Sequence, residues 1–197
     1  MSLLEALRNL DTPVEDGLEE LAGEIVSKRL GLSSTVAAQI ARYQETARHG
    51  GLVPLEEALA VFRLAGRRPD AALVFADAGR RAARYSARTN PIPVRVAVGL
   101  SPVGLRRPIG GRAAAAAARR ILRSDLRVGP TSAEARAGSS LAIQALPDGR
   151  GCAFYGAAFN ELLRCLTGFE GAMVHERCRA RGDAQCRWKA AAGGGYE

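Results

Sequence analysis

The side chains best suited to hold a metal ion gather near the C-terminal end of the sequence. Cys178 and Cys186 bracket the loop Arg179–Gln185, which contains Gly182 and Asp183. A hairpin through that loop would bring both sulfurs to one end of a sheet. Zinc asks for four ligands in a tetrahedron, and two thiolates from a hairpin supply half of them. Cys152 opens the preceding helical pattern, where free backbone N–H groups and the helix dipole favour a thiolate. His175, just ahead of Cys178, offers an imidazole nitrogen, so Cys152, His175, Cys178 and Cys186 form a candidate Cys3His zinc set. The same residues also fit an inert role. Cysteine is often buried as a small hydrophobe, and the separation of Cys178 from Cys186 is not one of the short zinc spacings. Cys165 falls beside the apolar stripe of a helix and reads as a core residue.

These residues need elements to position them. Tyr155, Phe159, Leu162, Leu163 and Leu166 share one helical face, and Gly168 suits a left-handed stop. Met173 to Cys178 and Cys186 to Ala190 read as two strands of a hairpin, followed by a frayed tail from Ala191 to Glu197. Upstream, Leu18, Leu21, Ile25 and Arg29 mark one helix and Val36, Ile40 and Tyr43 another, separated by Gly31, with Ser33 or Ser34 as a cap. Further helices are expected over Leu55–Leu64, with Pro54 in its first turn, over Asp70–Arg88 and over Arg112–Leu126, the last carried by consecutive alanines. The proline- and glycine-rich stretch Asn90–Gly111 reads as a connector enclosing a short strand, Val94–Val98. Leu141–Leu146 reads as another strand, before a turn at Pro147-Asp148-Gly149. The fold class expected is α+β, an antiparallel sheet packed on helices with an N-terminal helical extension. Its divisions are a helical region 1–68, a main domain 69–190 and a tail 191–197.

The chain carries 28 Lys plus Arg against 20 Asp plus Glu, a net charge of +8, so anionic partners are favoured. Only Lys28 and Lys189 are lysines, and the abundance of Arg, Ala and Gly also matches the codon usage of a GC-rich genome. Along the expected fourth helix Arg80, Arg84 and Arg88 fall on one side, a candidate docking face for an acidic protein or membrane-complex surface. Neither an export signal nor a transmembrane span is legible, which places the expected location in the cytoplasm, with peripheral contact to an inner or photosynthetic membrane left open. In that reducing setting metal ligation or buried thiols are better readings of the cysteines than disulfides.

The run Gly151-Cys152-Ala153-Phe154-Tyr155-Gly156, the helix to Gly168, and then Val174-His175-Glu176-Arg177-Cys178, Gly182-Asp183 and Cys186-Arg187-Trp188 resemble the 4-vinyl reductase domain family. That family includes bacteriochlorophyll 4-vinyl reductase-like proteins and the sensor domains of some aromatic-responsive activators, and it is similar in fold to a eukaryotic vesicle-tethering subunit. The resemblance is specific from Gly151 onward and weaker back to about Asp70. It implies an antiparallel sheet on helices, a tendency to form homodimers, a ligand pocket and, in some members, a zinc ion whose cysteines fall on Cys152, Cys178 and Cys186. The family pattern has a glutamate where this chain has His175. Glu176 is adjacent, and alternation along a strand would let only one of the two reach the metal.

A reductase needs an electron donor, and no glycine fingerprint for a dinucleotide is present. The expected role is therefore non-catalytic, as a carrier of a tetrapyrrole ligand or an accessory subunit docked on a photosynthetic membrane complex. Two alternatives stand beside it. One is a ligand-sensing transcriptional regulator, in which Ile25–Tyr43 would act as a helix-turn-helix and nucleic acid would be the partner. The other is a true vinyl reductase.

Overall fold

A computed structural model describes residues 1–11, 33–49, 51, 53–138 and 140–192. Helix α1 (Ser2–Asp11) is followed by α2 (Ser33–Arg48), α3 (Leu55–Gly66), α4 (Ala71–Arg88), α5 (Ile92–Leu100) and α6 (Val103–Ala117), which runs into a π-type turn at Ala118–Leu122. Then come β1 (Asp125–Val128), β2 (Ala133–Ala137), a short α7 (Leu141–Ala145), the long α8 (Cys152–Thr167), β3 (Gly171–Arg177) and β4 (Cys186–Ala192). The expected helix over Leu18–Arg29 and the Gly31 turn lie outside the described residues, as do the side chains of Ser33 and Ser34.

The four strands form one antiparallel sheet in the order β1-β2-β4-β3, so the α+β class is observed. Both outer pairs are hairpins, and β4 joins them by pairing Glu134 with Lys189 and Ala137 with Cys186. Strand β2 is alternately buried and half-buried, with Ala133, Ala135 and Ala137 facing the core.

Helix α8 is the hub. It lies against α4 at Gly79, where a Cβ would come within 2.1 Å of the Phe154 carbonyl oxygen, and against α6 at Gly110, where a Cβ would come within 1.8 Å of the Leu166 carbonyl oxygen. Glycine is required at both because backbone meets backbone. On the sheet side, Trp188 of β4 is fully buried between α8 aromatics, 6.0 Å from the Tyr155 ring and 5.3 Å from Phe159. Helices α1 and α3 share this core, while Ile40 and Tyr43 of α2 pack with Leu4 in a small separate cluster. A continuous apolar cluster runs from Leu3 through Phe62 and Phe75 to Phe159 and Trp188, across the 68/69 division expected from sequence. The buried Glu5 of α1 accepts a 2.7 Å hydrogen bond from the Tyr85 hydroxyl of α4.

Three expectations need correction. Val94–Val98 is not a strand but the middle of α5. Pro91 stands before this helix and Pro93 lies in its first turn, where a missing N–H costs nothing. Leu141–Leu146 is also helical at its start, because the Ser140 hydroxyl accepts from the Ile143 N–H at 3.2 Å and caps α7. The helix expected over Arg112–Leu126 begins earlier, at Val103, and ends through the π-type turn at Arg123, whose φ of 50° places it in the left-handed region. Strands β1 and β2 follow in a stretch left unassigned apart from Asp125 and Leu126. The helix ending at Gly168, with φ 72°, and the Cys178–Cys186 hairpin agree with expectation.

The contact at Gly79 yields a direct check. Gly79→Ala should push α4 from α8 and lower stability by about 1–3 kcal/mol, despite alanine's better helix propensity. Urea unfolding followed by circular dichroism measures it, and an unchanged or raised midpoint would show that the helices are not in backbone contact.

Candidate metal centre

Helix α8 brings Cys152 to its first position, and the β3–β4 hairpin brings the other three donors. One ligand atom each from Cys152, His175, Cys178 and Cys186 lies within 4.8 Å of every other. Cys152 Sγ stands 3.9 Å from both Cys178 Sγ and Cys186 Sγ. A disulfide requires about 2.05 Å, so the cysteines are free thiols. A tetrahedron of Zn–S bonds near 2.3 Å has S···S edges of about 3.8 Å, and the two measured separations are close to that edge.

The fourth corner carries a second sign of fit. His175 Nε2 is buried without a hydrogen-bond partner, while a backbone contact at Arg177 engages the ring. A metal-bound histidine commonly uses one nitrogen for the ion and the other for a backbone or carboxylate partner. The ring is fixed by stacking on Trp188, centroid to centroid at 4.5 Å and 8° from parallel. The four residues can therefore hold a metal ion.

A register shift explains how His175 and Cys178 share a site. In an unbroken strand two residues separated by three positions point to opposite faces. Here His175 pairs with Trp188 while Arg177 pairs with Arg187, so Glu176 is an extra residue in a β-bulge. The bulge returns Cys178 to the side of His175. Glu176 instead has its carboxylate 3.7 Å from Arg187 Nε and takes no part in the cluster.

The surrounding backbone shapes the knuckle. The Asp183 carboxylate accepts from the Cys178 N–H at 2.7 Å, and the Arg179 N–H points at Cys186 Sγ at 3.5 Å. Gly182, at φ 92°, closes the turn. Gly149, at φ 81°, leaves room for the Cys178 sulfur, which a Cβ there would approach to 3.2 Å.

Burial pushes the Cys152 thiol far above the usual thiol range, and the sulfurs of Cys186 and Cys178 add to it. Cys186 is raised mainly by burial, against donation from the Arg179 N–H. Burial also lowers His175, helped by Arg181, which keeps the imidazole neutral as ligation requires. The buried Cys152 and Cys186 thiols thus resist ionisation by themselves, and a bound dication would remove that cost.

Cys165 lies outside the cluster, with its sulfur 3.6 Å from Glu161 Oε1 and its thiol raised by burial. Of the arginines proposed for docking, Arg84 donates from Nε to the buried Glu161 at 2.6 Å, Arg80 is 3.9 Å from Asp77, and Arg88 has no carboxylate partner among the described residues. Arg84 is thus structural as well as basic, and a test of the docking face belongs on Arg80 and Arg88. Sequence reasoning missed the bulge at Glu176 and the packing role of Trp188. The single Trp beside Cys186 was the one available signal.

No family model matches the chain, and neither a curated protein nor a solved structure matches it.

Glu161 generates a pH prediction. Hydrogen bonds from Arg164 and Arg84 hold its carboxyl down to about 2, from an ordinary value of 4.5. A group that ionises more readily in the folded state stabilises the fold above its unfolded pKa, and that contribution is lost as pH falls from about 4.5 to about 2. Glu161→Gln should cost about 1–3 kcal/mol at neutral pH and flatten the acid limb of the stability profile, measured by urea unfolding at several pH values. An acid limb as steep as that of the wild type would remove Glu161 from this role.

Proposed function

We propose that the chain is a non-catalytic ligand-binding module of the 4-vinyl reductase type, clipped by one structural zinc and holding a tetrapyrrole in the service of bacteriochlorophyll metabolism. The observation that carries the reading is the Cys3His cluster itself, whose sulfur separations and unpartnered imidazole nitrogen suit a tetrahedral ion. Four protein donors fill such an ion and leave no open position for substrate. Zinc here would act as a clip between the start of α8 and the β3–β4 hairpin.

A cavity supports the binding half of the reading. It has a volume of about 510 Å³, within the range of small-molecule sites, and is walled by Tyr43, Phe62, Leu122, Phe154 and Tyr155, with Arg123 the one charged side chain among the described residues of its lining. A flat apolar ring with a carboxylate substituent matches that division, since a guanidinium binds a carboxylate through paired hydrogen bonds. Tyr155 connects clip and cavity. It lies one turn beyond Cys152, stacks on Trp188 and accepts from the Leu141 N–H at 3.2 Å.

Metal analysis of the purified protein should find one zinc per chain, lowered sharply by Cys152→Ser, Cys178→Ser or Cys186→Ser and unaffected by Cys165→Ser. His175→Ala should weaken zinc more than Glu176→Ala, whereas deletion of Glu176 should leave zinc bound, because without the extra residue His175 and Cys178 stand two positions apart and plain alternation keeps them on one face. Loss on Cys165→Ser equal to that of the other three would refute the ligand set.

Titration with a divinyl tetrapyrrole should quench Trp188, the only tryptophan, by energy transfer. Ala58→Trp, which would fill the cavity wall, should abolish pigment absorbance retained by the protein after gel filtration. Addition of NADPH should give neither conversion nor cofactor oxidation. Steady turnover would show an enzyme, and saturating quenching unaltered by Ala58→Trp would move the ligand elsewhere.

A further inference from the structure

Helix α5 is unusual among the described helices in how little of it is covered. Val98 is buried, but Ile92, Val96 and Leu100 are 71%, 49% and 81% exposed. Their spacing puts them on one line along the helix, opposite Val98, and Leu105 at the start of α6 is exposed as well, at 57%. Scattered apolar residues on a surface need no explanation, but three large aliphatic side chains aligned on one short helix mark a contact surface.

The charge around this ridge is of one sign. From Ala78 to Ser124 the sequence contains eleven arginines and no Asp or Glu. On one flank, a cleft of about 550 Å³ separates Val98 and Gly99 from α4 and the end of α8, and Arg84, Arg88, Arg106 and Arg164 line it. The nearby carboxylate, Glu161, is already shared by Arg84 and Arg164. Arg106 Nε is buried without a partner, and Arg88 has no carboxylate partner among the described residues. On the other flank, a groove between Pro93 and Ala97 of α5 and Ile109 of α6 carries Arg112 at its edge, exposed.

We propose that α5 is a membrane-contacting element. Its Ile92–Val96–Leu100 ridge enters the acyl boundary of an anionic bilayer, while Arg88, Arg106 and Arg112 bind lipid phosphates on both sides of it. An apolar line flanked by cations on each side fits a lipid surface, because headgroup phosphates surround an inserted helix in every lateral direction. Guanidinium groups pair with phosphate oxygens bidentately, and their aliphatic stems can lie along the apolar ridge. The short helix would lie in the plane of the interface; among the described residues no helix is long and apolar enough to cross a membrane. This surface requires neither the metal nor the ligand of the cavity.

The test is co-sedimentation of the full chain with sucrose-loaded vesicles of phosphatidylcholine, with and without phosphatidylglycerol. Binding is expected to vesicles that contain phosphatidylglycerol, with at least tenfold weaker binding to phosphatidylcholine alone and loss at high salt. The double substitution Val96→Ser with Leu100→Ser should weaken binding about tenfold or more at unchanged circular dichroism, since both side chains are exposed. Arg88→Gln and Arg112→Gln should each weaken it about fivefold. Leu100→Trp should show a blue shift of indole emission on the anionic vesicles, as a direct sign of burial in lipid. Absence of vesicle binding overturns the proposal, including the case in which the ridge proves to join two copies of the chain. Binding that ignores the ridge substitutions, or that is equal on neutral vesicles, overturns it as well.

Discussion

Helix α8 must satisfy three neighbours at once, and that constraint organises the molecule. Its backbone touches α4 through Gly79 and α6 through Gly110, leaving no room for even a methyl group at either crossing. Its third side receives Trp188 from the sheet, in a slot made partly by Gly156, where a Cβ would lie 3.2 Å from the indole nitrogen. Because interiors are packed near crystal density, a shift at one of these contacts is passed to the others. The start of the same helix carries Cys152. Position and tilt of this candidate donor are therefore set by helix packing well away from the cluster.

The hairpin meets α8 with a matching device. The bulge at Glu176 puts His175 and Cys178 on one side, and the stack of His175 on Trp188 joins a ligand to the core. Both the His175 ring and the cavity wall at Tyr155 then lean on one indole, so a disturbance at the cluster reaches the wall. The arginine-rich region around α5 is on a separate face, and its clefts share no residue with the cluster or with the apolar cavity.

The site was more legible than the scaffold. Its donors have distinctive side chains, three of the four fall on a hairpin marked by Gly182-Asp183, and α8 shows an unbroken helical stripe. The choice between His175 and Glu176 was not legible from alternation, because alternation itself fails at the bulge. Strands β1 and β2 were missed for a different reason. Their inward residues include Ala133, Ala135 and Ala137, and alanine does not signal a strand. Helix α5 was mistaken for a strand because its valines mimic a β pattern, while its prolines in fact stand where a helix begins. The close helix crossings rest on glycines that in sequence look like breakers, and only the distances reveal their purpose.

The strand order β1-β2-β4-β3 also bears on how the chain reaches this state. Of the four strands, β4 is synthesised last, yet it lies inside the sheet and completes both neighbouring pairs. Until it leaves the ribosome, the β1–β2 hairpin keeps a bare edge, and the aromatic face of α8 lacks Trp188. Such a half-sheet is a template for wrong partners. Completion of the sheet thus depends on a long-range pairing, in which β4 brings Cys186 and Trp188 together. The same strand that closes the sheet also brings Cys186 to Cys152, His175 and Cys178, so the gathering of the four donors cannot be separated from completion of the sheet.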